Sequence, residues 1–281
     1  MNDRRSREHH ISPVSPPAGS RAAQLADTFL PPVLFGLFVL VLWQTQLLHR
    51  LIGADTFTLP LPTRILTIIG DNLPDIGHNL AATALVALAG LSFGSLLGYA
   101  LGLLAAIFPR WGVGGLSVVS MFNAVPIIAI APILNNLTKD VSRDANTRSM
   151  VAKILVVTLM TMVAMSINAY RGLTELKPYS EDLMKSYAAS RFEVFRKLRL
   201  PNSVPHVFTA LRISVPGSVI FALVSEYFAE YIIGVGRQIR ENIVLAQYAT
   251  AWAYIFTACL LGITLYVILL AAEARVLHGR R

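Results

Sequence analysis

Five stretches of this chain, residues 28–48, 76–109, 111–138, 154–170 and 242–272, contain no Asp, Glu, Lys or Arg, and a sixth, about 204–225, is interrupted only by Arg212. A bilayer-spanning helix needs about 20 mostly apolar residues. Hydrocarbon offers the backbone no hydrogen-bond partners, so a chain built from such runs has to satisfy its own amides as helices. The expectation is an all-α integral membrane protein with six transmembrane helices. A transmembrane domain over 29–275 lies between a disordered, cytoplasmic N-terminal tail (1–28) and a short cytoplasmic C-terminal tail (276–281). The Arg4–Arg5 pair is too far from the first apolar run, which is itself long enough to span, to read as an export signal.

The basic residues orient the spans. With the N-terminus inside, fifteen Lys and Arg fall on the cytoplasmic side and eight on the other, with Arg212 within the membrane, so both termini are expected in the cytoplasm. The net charge of +8 follows from this bias and from attraction to an anionic leaflet, so the bilayer is the expected partner and nucleic acid is not required.

Several chemistries are excluded or weakly supported. The single cysteine, Cys259, cannot form an intramolecular disulfide and is expected as a small core residue. His9–His10 in the tail is a weak metal signal, and no metal site is expected. No G-x-x-x-x-G-K-[ST] loop occurs, so the chain cannot hydrolyse ATP by that route, and no triad or carboxylate pair suggests an enzyme. Ion-coupled secondary transport would have only Arg212 and Glu226 to work with, and no inverted repeat is evident. A membrane scaffold is the remaining alternative, and it leaves the features below unexplained.

Inside the spans, Gly90, Gly94, Gly98 and Gly102 recur every four residues. This makes a smooth stripe on one helix face, where a neighbouring backbone can approach closely. The next run carries Pro126 and Pro132 in "NAVPIIAIAP" and is expected to kink or split, a geometry that often marks a solute path. Asn123, Pro126, Thr158, Thr161, Ser225 and Glu226 are the candidate pathway residues, with Asn168 and Ser214 as further polar positions. Glu226 is placed near the outer mouth, and Arg212 in the cytoplasmic half, where it can snorkel or hold helix carbonyls.

Between the fourth and fifth spans lies "DLMKSYAASRFEVFRKLRLP", Asp182 to Pro201. On one helical wheel, Met184, Tyr187, Ala188, Phe192, Val194, Phe195 and Leu198 share a sector broken by Arg191, and Pro201 is expected to stop the helix. A basic amphipathic helix can lie in the headgroups. The acidic Glu181–Asp182 pair at its start and the discontinuous aromatic sector argue instead for docking into a partner.

This segment resembles the cytoplasmic loop signature of permease subunits of binding-protein-dependent type I ABC importers, in which an acid, two alanines, a glycine and a terminal Leu-Pro recur. Aligned from Leu200–Pro201, the acid is Asp182, the alanine pair falls on Leu183 and Met184, and the glycine on Ala188. "LPLPTRI" (Leu59–Ile65), the Pro126/Pro132 spacing and "LRIS…VSEYF…GVG" are similar to the nitrate, sulfonate and taurine branch of that family. Where the family has a short Trp-Phe-Gly turn after the third span, this chain has the longer polar insert "NNLTKDVSRDANTRS" within 135–149.

The resemblance implies a transmembrane subunit in the bacterial cytoplasmic membrane, non-catalytic and without a cofactor of its own. Two permease copies, expected as a homodimer, would form the pathway. An ABC ATPase dimer would bind ATP and Mg beneath them, and an extracytoplasmic substrate-binding protein would deliver a small solute, nitrate/sulfonate/taurine-like or a vitamin precursor. The loop at about 174–201 would be the coupling helix. Tyr187, Phe192 and Phe195 would enter the ATPase cleft, Arg191 and Arg196 meet its rim, Asp182 strengthen the helix start, and Ala188, Leu200 and Pro201 keep the frame of the signature.

Overall fold

The computed structural model describes residues 21–229 and 233–278, with side chains from Leu30 onward. Most of the expected N-terminal tail, His9–His10 included, and the last three residues lie outside the described residues. Every regular element among the described residues is helical.

Residues up to Ala54 form one unit. Helix α1 (Arg21–Gln44) takes up the first apolar run, of which Leu30–Gln44 is the described apolar part. A left-handed Gln46 turns the chain into α2 (Leu47–Ile52), and Gly53, at φ 68°, closes α2 by donating its N–H to His49 O.

The second unit, Asp55–Arg281, holds the remaining helices. Pro62, at the first position of α3 (Pro62–Asp71), presets the helical φ, which explains the "LPLP" lead-in. Next come α4 (Leu73–Ile107), α5 (Pro109–Met121) with a 3₁₀ turn at Phe122–Ala124, α6 (Ile127–Leu137) and α7 (Ala145–Thr174). The short α8 (Ser180–Ser186) and α9 (Arg191–Val194) lead through a π turn (Phe195–Arg199) into α10 (Leu200–Tyr227), followed by α11 (Val235–Val244) and α12 (Tyr248–His278). Among the described residues, α4, α7, the stretch Arg191–Tyr227 and α12 are single helices long and apolar enough to cross a membrane. The third run forms a broken pair, Pro109–Ala124 and Ile127–Leu137, which together are long and apolar enough to cross and are bent by 100°.

The spans do not begin where charge-free runs begin. Helix α7 starts nine residues before Ile154, because Asp144 caps it by accepting from Thr147 N at 2.9 Å. Lys153 therefore lies in the helix, and its ammonium donates to Ile233 O at 3.0 Å.

Helices α4 and α7 pack along the glycine stripe. Gly90, Gly94, Gly98 and Gly102 are all buried. A Cβ at Gly94 would meet Thr161 Oγ1 and the Thr158 carbonyl, and one at Gly102 would sit 2.7 Å from Ser166 O. Neither helix could approach so closely with a side chain there. Beside this seam Val86, Ala87, Val157, Val219 and Ala222 tie α4, α7 and α10 into one core. The outward faces carry Leu96, Ile213, Ile220, Ile263 and Val267, an apolar exterior suited to lipid. Cys259 belongs to that exterior, which corrects its expected place in the core: on α12 the inward face is taken by Tyr254, Thr257 and Ala258.

Candidate functional site

The loop between α7 and α10 departs from the single amphipathic helix read from its sequence. Helix α8 ends at Ser186, and Ala188 adopts a left-handed φ of 53°. A new helix then starts with a reciprocal capping box: Ser190 Oγ accepts from Glu193 N, and the Glu193 carboxylate accepts from Ser190 N at 3.0 Å. A one-wheel reading fails because the turn at 187–189 resets the phase. Pro201 does not stop the helix either. The Leu200 N–H bonds Phe195 O, five residues back, and this π register accommodates a proline at the second position of α10.

The break sorts the loop's apolar residues into two sets. Val194 is buried and Phe195 half-buried. Both line a cleft of about 660 Å³ with Ala106, Ile107 and Leu173 from the ends of α4 and α7, so they anchor the loop to the bundle. Tyr179, Leu183, Tyr187 and Phe192 are 84%, 58%, 78% and 68% exposed, large apolar side chains facing away from the chain. Asp182 is exposed and pairs with Lys185 at 3.3 Å, while Arg199 reaches back to Glu181 at 3.4 Å. Arg191, Arg196, Leu200 and Pro201 are exposed as well. The helical-wheel pattern groups Phe192 with Phe195 and leaves out Tyr179 and Leu183; the capping-box pattern at Ser190 and Glu193 is the sequence signal that marks the break.

The pathway candidates do not form one site. Asn123 and Pro126 are exposed at the break of the third span, where Pro126 takes an extended conformation and caps α6. Thr158 and Thr161 are buried in the α4–α7 seam, with hydroxyls 3.4 and 3.3 Å from Gly90 O. Ser225 is buried and donates to Ala222 O within its own helix. Asn168 likewise donates within its helix, to Ala164 O.

Glu226, expected near an outer mouth, is fully buried under the 233–236 turn. Its Oε2 accepts from Thr83 Oγ1 and Gly236 N, each at 2.9 Å. Asn79 Oδ1 accepts from Gly234 N and Thr83 Oγ1 from Val235 N, both at 2.9 Å. At Gly234 (φ 125°) and Gly236 any Cβ would collide, with the Glu226 carboxylate and with the Leu223 carbonyl respectively. The separated sequence elements "VSEYF" and "GVG" are thus two halves of one clip between α10 and the loop before α11. Arg212 likewise has a specific partner rather than snorkelling: its Nε and Nη2 each donate to the Glu273 carboxylate at 2.8 Å, a bidentate link between α10 and α12. Among the described residues, no group of His, Cys, Asp and Glu could hold a metal.

Several long apolar helices, one sharply bent helix pair and an aromatic-tipped loop before α10 define a polytopic membrane protein. The chain belongs to the family described as binding-protein-dependent transport system inner membrane component, which it matches over residues 94–278. It is 30% identical over 259 residues to the formylaminopyrimidine transport permease protein ThiX of Halalkalibacterium halodurans, covering 90% of this chain and 96% of that one. A probable ABC transporter permease protein of Haemophilus influenzae is 25% identical over 198 residues, 70% of this chain and 77% of that one. The fold matches a chain of the MetNI methionine ABC transporter in an inward-facing conformation, with a TM-score of 0.59 and 16% identity, over 74% of this chain and 96% of that chain. The chain is a multi-pass permease subunit of a type I ABC importer, and the secondary-transporter and scaffold readings give way to that membership.

Proposed function

We propose that this chain forms half of a solute pathway in a two-plus-two importer, with a second copy of itself, and that its 175–200 loop takes the power stroke of a separate ATPase. The exposed quartet Tyr179, Leu183, Tyr187 and Phe192 carries this reading. Large aromatic side chains of this kind dominate interface energies when they fill pockets, often by 2 kcal/mol or more each. Asp182, Arg191 and Arg196 rim the quartet, while Val194 and Phe195 hold the loop to the bundle so that a push on the loop moves α7 and α10. ATP and Mg belong to the ATPase, and this chain needs no cofactor. The loop and both termini face the cytoplasm, and residues 29–275 constitute the permease domain.

The cargo is a small polar solute handed over by a binding protein. That the relative in Halalkalibacterium halodurans is a formylaminopyrimidine permease supports a vitamin-precursor type of solute over nitrate, sulfonate or taurine. The test is a pull-down of the ATPase with the full-length permease. Tyr187→Ala/Phe192→Ala is expected to lose at least tenfold in complex formation, and uptake with it, while the permease still inserts. Normal ATPase capture and normal uptake by that variant would refute the coupling role.

A further inference from the structure

At the end of the bundle away from the 175–200 loop, the polar insert forms a cleft of about 530 Å³. Helix α7 spans roughly 45 Å from this cleft to the loop, by the 1.5 Å rise per residue. The lining includes Asn135 and Asn136 from the end of α6, Lys139 from the loop that follows, Arg148 and Ser149 from the first turns of α7, and Phe228 just after α10. No Asp or Glu is among the described lining residues. Ser149 Oγ is buried and has no hydrogen-bond partner among the described residues. A buried hydroxyl left unpaired is costly, so it calls for a partner that the described residues do not supply. Arg148 is held in place by the Ser142 and Arg143 carbonyls, at 3.3 and 3.4 Å, and keeps further donors free of those bonds.

We propose that this cleft is a solute-binding site for a flat, acceptor-rich molecule without positive charge. An ammonium, a guanidinium, a hydroxyl and two carboxamides supply donors, and Phe228 supplies apolar surface. An organic cation would meet Lys139 and Arg148 with no Asp or Glu in the described lining, the nearest acid, Asp144, lying beside Arg148 outside it. The site joins α6, the second half of the bent pair, to the start of α7 and the end of α10. The inference rests on the importer reading and gives the solute a chemical class.

The test is calorimetric titration of the full-length chain in lipid nanodiscs with orotate, a planar pyrimidine carboxylate, and with benzamidine, a planar cation of similar size. Orotate is expected to bind and benzamidine not. Lys139→Gln and Ser149→Ala are each expected to weaken orotate at least tenfold. Lys139→Gln leaves the carbonyl contacts of Arg148 intact, so its effect is not that of a collapsed loop. Absent orotate binding, equal binding of benzamidine, or unchanged binding by both variants would overturn the proposal. ATP-driven uptake by the assembled importer separates the two readings: uptake without orotate binding refutes the cleft alone, and orotate binding without ATP-driven uptake refutes the importer reading alone.

Discussion

Ala188 holds a backbone conformation that an L-residue adopts at a cost of roughly 1–2 kcal/mol, at the position where the resembling family carries glycine. Ala188→Gly is therefore expected to stabilise the loop by about 1 kcal/mol, read as slower proteolysis between α8 and α9; faster cleavage would contradict the strain. At Glu226 the chemistry runs the other way. Glu226→Leu strands the Gly236 N–H, about 1–3 kcal/mol for a buried donor left unpaired, while the Thr83 hydroxyl still reaches Asn79 O; Glu226→Gln keeps an acceptor in place. Thermal unfolding in detergent should rank wild type above Gln and Gln above Leu, and equal melting of all three would rule out the clip. Asp144 gives a pH-dependent case. Its bonds from the Thr147 hydroxyl and N–H hold the carboxyl below the ordinary value of 3.8. The cap thus contributes fully above that range and is lost as pH falls through it, and Asp144→Asn should flatten that acid limb of the unfolding profile.

At the scale of elements, the α4–α7 seam and the loop make opposite demands. Gly94→Val places its side chain against Thr161 and the Thr158 backbone, which cannot withdraw without parting the helices. The expected loss is roughly 1–3 kcal/mol in detergent unfolding, and a neutral result would mean the helices do not meet there. In the loop, Phe195→Ala removes an anchor from the cleft against α4 and α7, while Phe192→Ala removes an exposed ring. Phe195→Ala is expected to lower thermal stability and Phe192→Ala to leave it unchanged, so equal melting losses would mean the two rings share one environment. The period-3.6 pattern could not separate these residues, because a wheel assumes one unbroken helix and the left-handed turn at Ala188 rotates everything after it. The π turn was equally hidden, since proline in an α register reads as a stop.

For the whole molecule, the positive-inside bias predicts that reporter fusions at Lys185 and at the C-terminus register the cytoplasm and a fusion at Arg143 the outside. An outside signal at Lys185 would end the coupling proposal. What the sequence determined by itself is the class: charge-free runs require helices in lipid, four-residue glycine spacing requires a close helix pair, and paired prolines require a broken span. These are local properties, since each depends on residues a few positions apart on one element. Only the tertiary structure decided which polar groups meet. Arg212 finds Glu273 across 61 positions, and Glu226 finds Thr83 across 143. Tertiary packing likewise buried Lys153 and Glu226 and turned Cys259 outward. Such pairings follow from how helices rotate and stack against one another, and the pattern along a single helix carries no record of its neighbour.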